Sequence, residues 1–427
     1  MGWLDGHLAT VRELPDVHAS LDRLEERFVR REPGVQAFLP EEGRFARLHR
    51  EADELFSAHP SSLDRAPLFG VPVGIKDIFR VDGFPTRAGS RLPPELFEGP
   101  EAEAVSRLRR KGALILGKTV STEFAFFAPG PTCNPHRLEH TPGGSSSGSA
   151  AAVGAGLCPA ALGTQTIGSI IRPAAYCGVV GFKPSYGRIS TEGVIPLAPS
   201  LDHVGFFTVD VPGAVTLAAA LMPDYRSSID SVFRRPVLGI PEGPYLARAS
   251  EEGLAHFRAM CDRLSARYEI RPVPAMEDFA EIRERHMRLT AVEIAEVHRD
   301  WFPRYRALYA PQTVDLIERG QAVSPETWQQ DRAGRERLRG ELTSLMNRHG
   351  LDLWISPSAP GPAPRGLAST GDPIMNLPWT QAGLPVLGIP SGRNDDGLPL
   401  GLQITGRWQA DEDLLHWGAD LERDLAS

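Results

Sequence analysis

The chain is 427 residues long and carries 46 Lys+Arg against 54 Asp+Glu, a formal net charge of −8. That balance excludes the basic footprint of a nucleic-acid binder, and 41% hydrophobic with 23% charged residues excludes a disordered chain. The longest weakly polar stretch, residues 150–163, is built of small residues, contains Pro159 and falls short of the roughly 20 apolar residues of a membrane span. The opening Met1-Gly2-Trp3-Leu4-Asp5 has neither the basic nor the apolar region of a secretory signal, so a cytoplasmic location is expected.

Residues 21–58 alternate charged and apolar side chains at helical spacing, interrupted at Arg31-Glu32-Pro33-Gly34, which predicts helix, turn, helix. Val71-Pro72-Val73-Gly74-Ile75-Lys76 predicts a short buried strand ending on charge, residues 101–111 an amphipathic helix, and residues 112–117 a second buried strand. A Ser/Gly block, Thr141 to Ser149, opens into a helix expected to start at Ala150. Residues 163–181 mix turn and apolar residues and are not assigned by periodicity. Residues 251–349 predict long helices, read as a helical insertion or lid that shapes a substrate pocket. Strands return at residues 351–355 and 386–390, and a helix closes the chain over residues 413–425. This is an α/β pattern. Length alone suggests about three domains, but the 42 Gly and 38 Pro are spread through short turns with no linker and no repeat.

Cys133, Cys158, Cys177 and Cys261 show no zinc spacing and no disulfide framework, so buried free thiols are expected. Only Lys76, Lys111, Lys118 and Lys183 are lysines, against a background of Arg. Where Lys persists, an amine able to lose its proton is a candidate requirement, because Arg stays charged.

Several short matches compete. Residues 112–119 satisfy the phosphate-loop pattern GxxxxGK[ST], which would make this a nucleotide-binding protein, but the variable positions are Ala-Leu-Ile-Leu after a charged helix. Gly144-Ser145-Ser146-Ser147-Gly148 satisfies the GxSxG elbow, yet no apolar strand precedes it. His136 and His140 have a helical metal spacing, but Pro135 and Pro142 argue against a helix there. No metal site and no cofactor is expected.

A more specific constellation spans three blocks: Gly70-Val71-Pro72-Val73-Gly74-Ile75-Lys76-Asp77, then Gly143 to Val153, then Gly163 to Pro184 with Gly168-Ser169 inside it. In this order they resemble the core of the amidase signature family, densely over residues 68–200 and more loosely over residues 351–416. The resemblance implies one large α/β domain over residues 1–427, with a twisted mixed β-sheet core flanked by helices on both faces. It also implies a Ser-Ser-Lys triad, with Ser169 as nucleophile, Ser145 as bridging serine after a cis peptide, and Lys76 as base. The oxyanion hole would be the backbone N–H groups of Thr166, Ile167, Gly168 and Ser169.

These residue types suit the chemistry. A serine hydroxyl needs a base to become nucleophilic. Lys serves only when burial brings its pKa from about 10.4 towards neutrality, and the apolar run before Lys76 supplies such burial. The competing reading is a Lys76 that pairs with Asp77 or another carboxylate and stays charged; Asp77 should point to the opposite face of the strand and not be its direct partner. Departures from the family block are Gln165 in place of Asp, Ile167 of Gly, Ile171 of Arg and Ser147 of Gly. They suggest that one internal ion pair has been replaced, with Arg172 taking over. The expected activity is hydrolysis of the C–N bond of a linear amide through a Ser acyl-enzyme. Carbamate or ester hydrolysis on the same triad, and a glutamine amidotransferase subunit of a tRNA-dependent complex, are the alternatives. The expected partner is a small amide, carbamate or ester, with no nucleic acid and no membrane, and a homodimer is left open.

Overall fold

Two amphipathic helices begin the computed structural model, which describes residues 14–61, 65–226 and 234–426; the predicted absence of a signal at residues 1–5 lies outside the described residues. Helix α1 (Leu14–Val35) buries Val17 and Leu21, and α2 (Arg44–Ala58) buries Phe45, Leu48, Ala52 and Phe56. The turn expected at residues 31–34 is instead the last turn of α1. Pro33 removes one N–H donor, but Gln36 N–H still closes on Glu32 C=O at 2.8 Å, and the helix ends only where Gln36 adopts φ 53°.

The central part then runs β1 (Pro72–Lys76), α3 (Glu103–Arg110), β2 (Leu114–Thr119), α4 (Ser147–Gly154), β3 (Ala160–Gln165), α5 (Ile171–Cys177), β4 (Val180–Lys183), β5 (His203–Thr208) and α6 (Val211–Leu221). It continues with β6 (Leu238–Glu242), α7 (Glu251–Ser265), β7 (Ile270–Pro274), α8 (Phe279–Val297), α9 (Phe302–Tyr305), α10 (Pro311–Gln321) and α11 (Pro325–Arg348). The chain ends with β8 (Leu353–Pro357), α12 (Leu377–Ala382), β9 (Val386–Arg393), β10 (Pro399–Thr405) and α13 (Asp411–Ala426). The unassigned stretch 163–181 is therefore a strand, a tight turn and a short helix. Helix α4 starts at Ser147, three residues before the predicted Ala150.

Among the described residues the strands form one ten-stranded sheet in the order β2-β1-β3-β5-β4-β9-β10-β8-β6-β7. Its two ends are parallel and its middle is antiparallel, so the sheet is mixed. Consecutive strand residues point to opposite faces, and the core divides accordingly. Val73, Ile75, Leu162 and Phe206 pack with Leu217 and Leu415 on one face. Leu114, Leu116, Ala161 and Phe207 pack with Val17, Ala151 and Ile282 on the other. Helices on both faces explain why β1 to β3 are buried along their whole length and read as apolar runs. The chain is one α/β domain, and the three-domain length rule does not hold here.

Residues 251–349 are not wholly helical. Ile270–Pro274 forms β7, paired with β6 alone at the end of the sheet. Pro272 and Pro274 hide this strand from a propensity reading, yet an edge strand tolerates missing N–H groups on its open side.

Candidate active site

Strand β1 ends on Lys76, whose side chain is fully buried. Parallel pairing of β1 with β3 sets Ile75 beside Leu162. One step further along, Lys76 Nζ lies 2.8 Å from Thr164 Oγ1 and 2.8 Å from Ser145 Oγ. Burial drives the Lys76 ammonium well below its ordinary range, opposed by the Asp202 carboxylate. Asp77 is not its partner, as strand alternation requires. Asp77 faces Lys118, with Nζ and Oδ1 2.9 Å apart.

Lys118 is thus consumed by an ion pair and by the Phe79 carbonyl at 2.8 Å. The segment 112–119 is a turn followed by strand β2, not a phosphate loop. Lys183, also fully buried, donates to Leu384 C=O at 2.6 Å, and burial lowers it to about 7. All four cysteines are free and buried. His136 and His140 turn to separate carbonyls, those of Cys177 and Ala363.

Ser145 follows a cis Gly144–Ser145 peptide. Its carbonyl accepts from Thr122 N–H at 3.2 Å, and its hydroxyl meets Lys76. The other serines of the block are engaged elsewhere. Ser146 Oγ donates to Thr164 C=O, Ser147 Oγ to Gly143 C=O and Ser149 Oγ to Leu162 C=O. Ser145 is therefore the serine of this block that the lysine reaches.

Ser169 stands in the turn between β3 and α5 and is 7% exposed. The structure brings Lys76 and Ser145 together, but no hydrogen bond joins Ser145 to Ser169 among the described residues. The N–H groups of Thr166, Ile167, Gly168 and Ser169 likewise donate to no protein acceptor among the described residues, whereas those of Ile170 and Ile171 do. Free, preorganised N–H groups in a turn are the form an oxyanion hole takes. Gly168 is needed there, because a Cβ would run into Asn376 and Pro373.

The loop is held from several sides, by Gln165 and by two residues that sequence reasoning did not single out, Thr380 and Asp202. Gln165 Oε1 accepts the N–H groups of Ile170 and Ile171 at 2.8 and 3.0 Å, and its Nε2 donates to Thr380 Oγ1 at 2.9 Å. Thr380 in turn donates to Ile167 C=O at 2.7 Å. Thr166 Oγ1 donates to Asp202, whose other oxygen takes the N–H groups of Leu197 and Ala198. Burial pushes Asp202 up to about 7 against those bonds. The amide of Gln165 thus performs the anchoring for which a carboxylate was expected, without bringing a charge.

Arg172 does not replace an ion pair. Among the described residues it has no carboxylate within ion-pair distance, and it donates from its buried position to the carbonyls of Gly144 and Gly371 and to Thr370 Oγ1. Burial lowers its guanidinium to about 10. A cavity of about 230 Å³ opens against Thr164 and Asp202, lined also by Ile78, Ala125, Ile195 and Leu197. A larger one of about 760 Å³ lies against α1 and α2 and is not lined by Lys76, Ser145 or Ser169. Among the described residues, no group of three or more His, Cys, Asp or Glu is placed to hold a metal ion. No helix there is long and apolar enough to cross a membrane.

Comparison with known proteins agrees with this frame. The family model described as Amidase matches residues 44–243 and 246–415. The chain is 33% identical to a glutamyl-tRNA(Gln) amidotransferase subunit of Synechococcus sp. (strain WH7803), over 93% of this chain and 90% of that one. A crystal structure of an amidase superposes with a TM-score of 0.87 at 33% identity, over 99% of both chains. The corresponding glutamyl-tRNA(Gln) amidotransferase subunit of Thermotoga maritima superposes with a TM-score of 0.79 at 25% identity, over 97% of this chain and 92% of that one. The chain belongs to the amidase family and is an amide-hydrolysing enzyme.

Proposed function

We propose that the protein cleaves the C–N bond of a linear amide through an acyl-enzyme on Ser169. The observation that carries this reading is the buried Lys76 amine, 2.8 Å from Ser145 Oγ and, among the described residues, without a carboxylate within ion-pair distance. A neutral amine has one lone pair, and a hydroxyl both donates and accepts. Lys76 accepts the Ser145 proton as Ser145 Oγ accepts that of Ser169, whose oxygen attacks the carbonyl carbon. The oxyanion that forms meets the free N–H groups at 166–169. Collapse breaks the C–N bond, the proton returns through Ser145 to the departing nitrogen, and water then releases the acid. Catalytic hydrogen bonds absent from a free site commonly close once substrate is bound, and the Ser145–Ser169 contact belongs to that class.

Carbamates and esters present the same carbonyl to the same groups. A second reading, in which the chain serves an amidotransferase and works with partner subunits, draws support from the amidotransferase relatives. The amidase superposition over 99% of both chains, with the higher TM-score of the two, supports the hydrolase reading. The test is a fluorophosphonate probe followed by peptide mass spectrometry, beside a turnover panel of aryl amides, aliphatic amides, carbamates, esters and glutamine. Labelling of Ser169 with amide turnover supports the proposal. A label on Ser146 or glutamine as the sole substrate would replace it.

A further inference from the structure

Helix α8 lies in the segment that the sequence marks only as an insertion or lid, yet it touches the loop that carries the free N–H groups. Three of its residues reach the same neighbourhood at helical spacing. Ile282 C=O accepts from Gln381 Nε2 at 2.8 Å, His286 Nε2 stands 2.9 Å from Thr166 C=O, and Glu293 takes both Ser200 N–H and Ser200 Oγ–H. Positions separated by four and seven residues share one face of a helix. Gln381 neighbours Thr380, which holds Ile167, and Ser200 sits in the loop that supplies Asp202 to Thr166.

His286 is fully buried, and its Nδ1 has no hydrogen-bond partner among the described residues. A carbonyl oxygen can only accept, so Nε2 carries the proton and donates to Thr166. Burial holds the imidazole down to about 3, so it is neutral wherever the enzyme works at ordinary pH. The tautomer is thereby fixed with one donor and one idle acceptor. Leaving a buried acceptor idle costs on the order of 1–3 kcal/mol, a cost that simple core packing would avoid with a leucine.

We propose that His286 is a positioning residue, which through its hydrogen bond to the Thr166 carbonyl fixes the peptide planes whose N–H groups receive the oxyanion. The inference rests on the hydrolase function proposed above. Thr166 is then held at both ends, its carbonyl by His286 and its hydroxyl by Asp202, so the following N–H groups cannot rotate away when charge develops. Helix α8 acts as a brace behind the reaction loop, and through it residues 279–297 influence rate without touching substrate.

Gln and Met have nearly the same shape and differ in the donor, so His286→Gln and His286→Met separate hydrogen bonding from packing. Against a substrate that the wild-type enzyme turns over, His286→Gln is expected to keep kcat within about threefold. His286→Met is expected to lose tenfold to a hundredfold in kcat with KM changed less than threefold, and to slow fluorophosphonate labelling equally; one lost oxyanion donor sets the upper bound at about 100- to 1,000-fold. Equal kcat in the two variants overturns the proposal, as does a fall confined to KM. If the Met variant does not fold, a tenfold loss of kcat in the Gln variant overturns it and retention supports it. If wild-type Ser169 takes no label, the hydrolase function has failed separately. Amide hydrogen exchange over residues 163–170 then decides, with faster exchange in Met than in Gln supporting the brace and equal exchange refuting it.

Discussion

Lys76 Nζ and Ser145 Oγ are 2.8 Å apart inside a fully buried setting, and the nearest acidic neighbour in sequence, Asp77, is taken by Lys118. A charged ammonium in such a place would lack the partner that buried charges require. Burial therefore favours the neutral form of the Lys76 amine, the form that the proposed mechanism requires.

The first prediction concerns the pH dependence of stability in Lys76→Met. In the unfolded chain a lysine binds its proton below about pH 10.4, whereas in the fold Lys76 holds it only well below that. Between those two values the unfolded state binds more protons, so wild-type stability rises with pH. The variant lacks this contribution. As pH rises towards 10, wild type is expected to gain on Lys76→Met with a slope of up to about 1.4 kcal/mol per pH unit, read by urea unfolding. A difference independent of pH would mean that the folded amine is charged. Hydrolysis should fall by at least about 100-fold, as loss of a general base typically costs 100- to 10,000-fold.

A second prediction turns on Asp202, whose charge favours the protonated form of Lys76. Asp202→Asn removes that charge, so the amine gives up its proton at lower pH. The acid limb of the kcat/KM profile is expected to move down in pH, while kcat on the plateau falls because the single amide oxygen of Asn accepts from Thr166 Oγ1 or from the N–H groups of Leu197 and Ala198, but not from both. An acid limb that moved upward would show that Asp202 does not act on the base.

Much of this site was legible from local pattern, and the rest depended on contacts distant in sequence. Lys76, Ser145 and Ser169 lie in dense blocks, and the apolar run before Lys76 announced burial. The helix–strand alternation gave the α/β class, and opposite-face reasoning separated Lys76 from Asp77. Thr164 was hidden because its role depends on β1 pairing with β3 across 88 residues. Thr380 and His286 lie 213 and 120 residues from the carbonyls they hold. For Gln165 the available signal was its substitution for a carboxylate, which invited a search for a new ion pair. The solution was an amide that both accepts from the helix start and donates to Thr380.

That arrangement yields a third prediction. Gln165→Met keeps the volume but leaves Ile170 N–H, Ile171 N–H and Thr380 Oγ1 without their partner. Buried groups so orphaned cost roughly 1–3 kcal/mol each, and the loop between β3 and α5 loosens. A fall of about tenfold to a hundredfold in kcat is expected, larger than the change in KM. Gln165→Glu should also lose rate, because a carboxylate draws the Thr380 hydrogen away from Ile167 C=O. Near wild-type kcat in Gln165→Met would show that the N–H groups at 166–169 are set by something other than this side chain.

The fourth prediction follows from a buried guanidinium that, among the described residues, no carboxylate within ion-pair distance neutralises. The two terminal nitrogens of Arg172 donate to Gly144 C=O, Gly371 C=O and Thr370 Oγ1, and so tie the serine-rich turn to the loop at 370–371. Lysine conserves charge but is a single point donor and does not span three acceptors in one plane. Arg172→Lys is therefore expected to leave a carbonyl unsatisfied, destabilise the fold by about 1–3 kcal/mol and lower kcat at least tenfold. The comparison that decides is Ser147→Ala, which frees Gly143 C=O in the same turn without touching Gly144. If both variants lose equal stability but only Arg172→Lys loses rate, the guanidinium serves the position of Ser145. Equal loss of rate in the two would reduce Arg172 to general support of the turn.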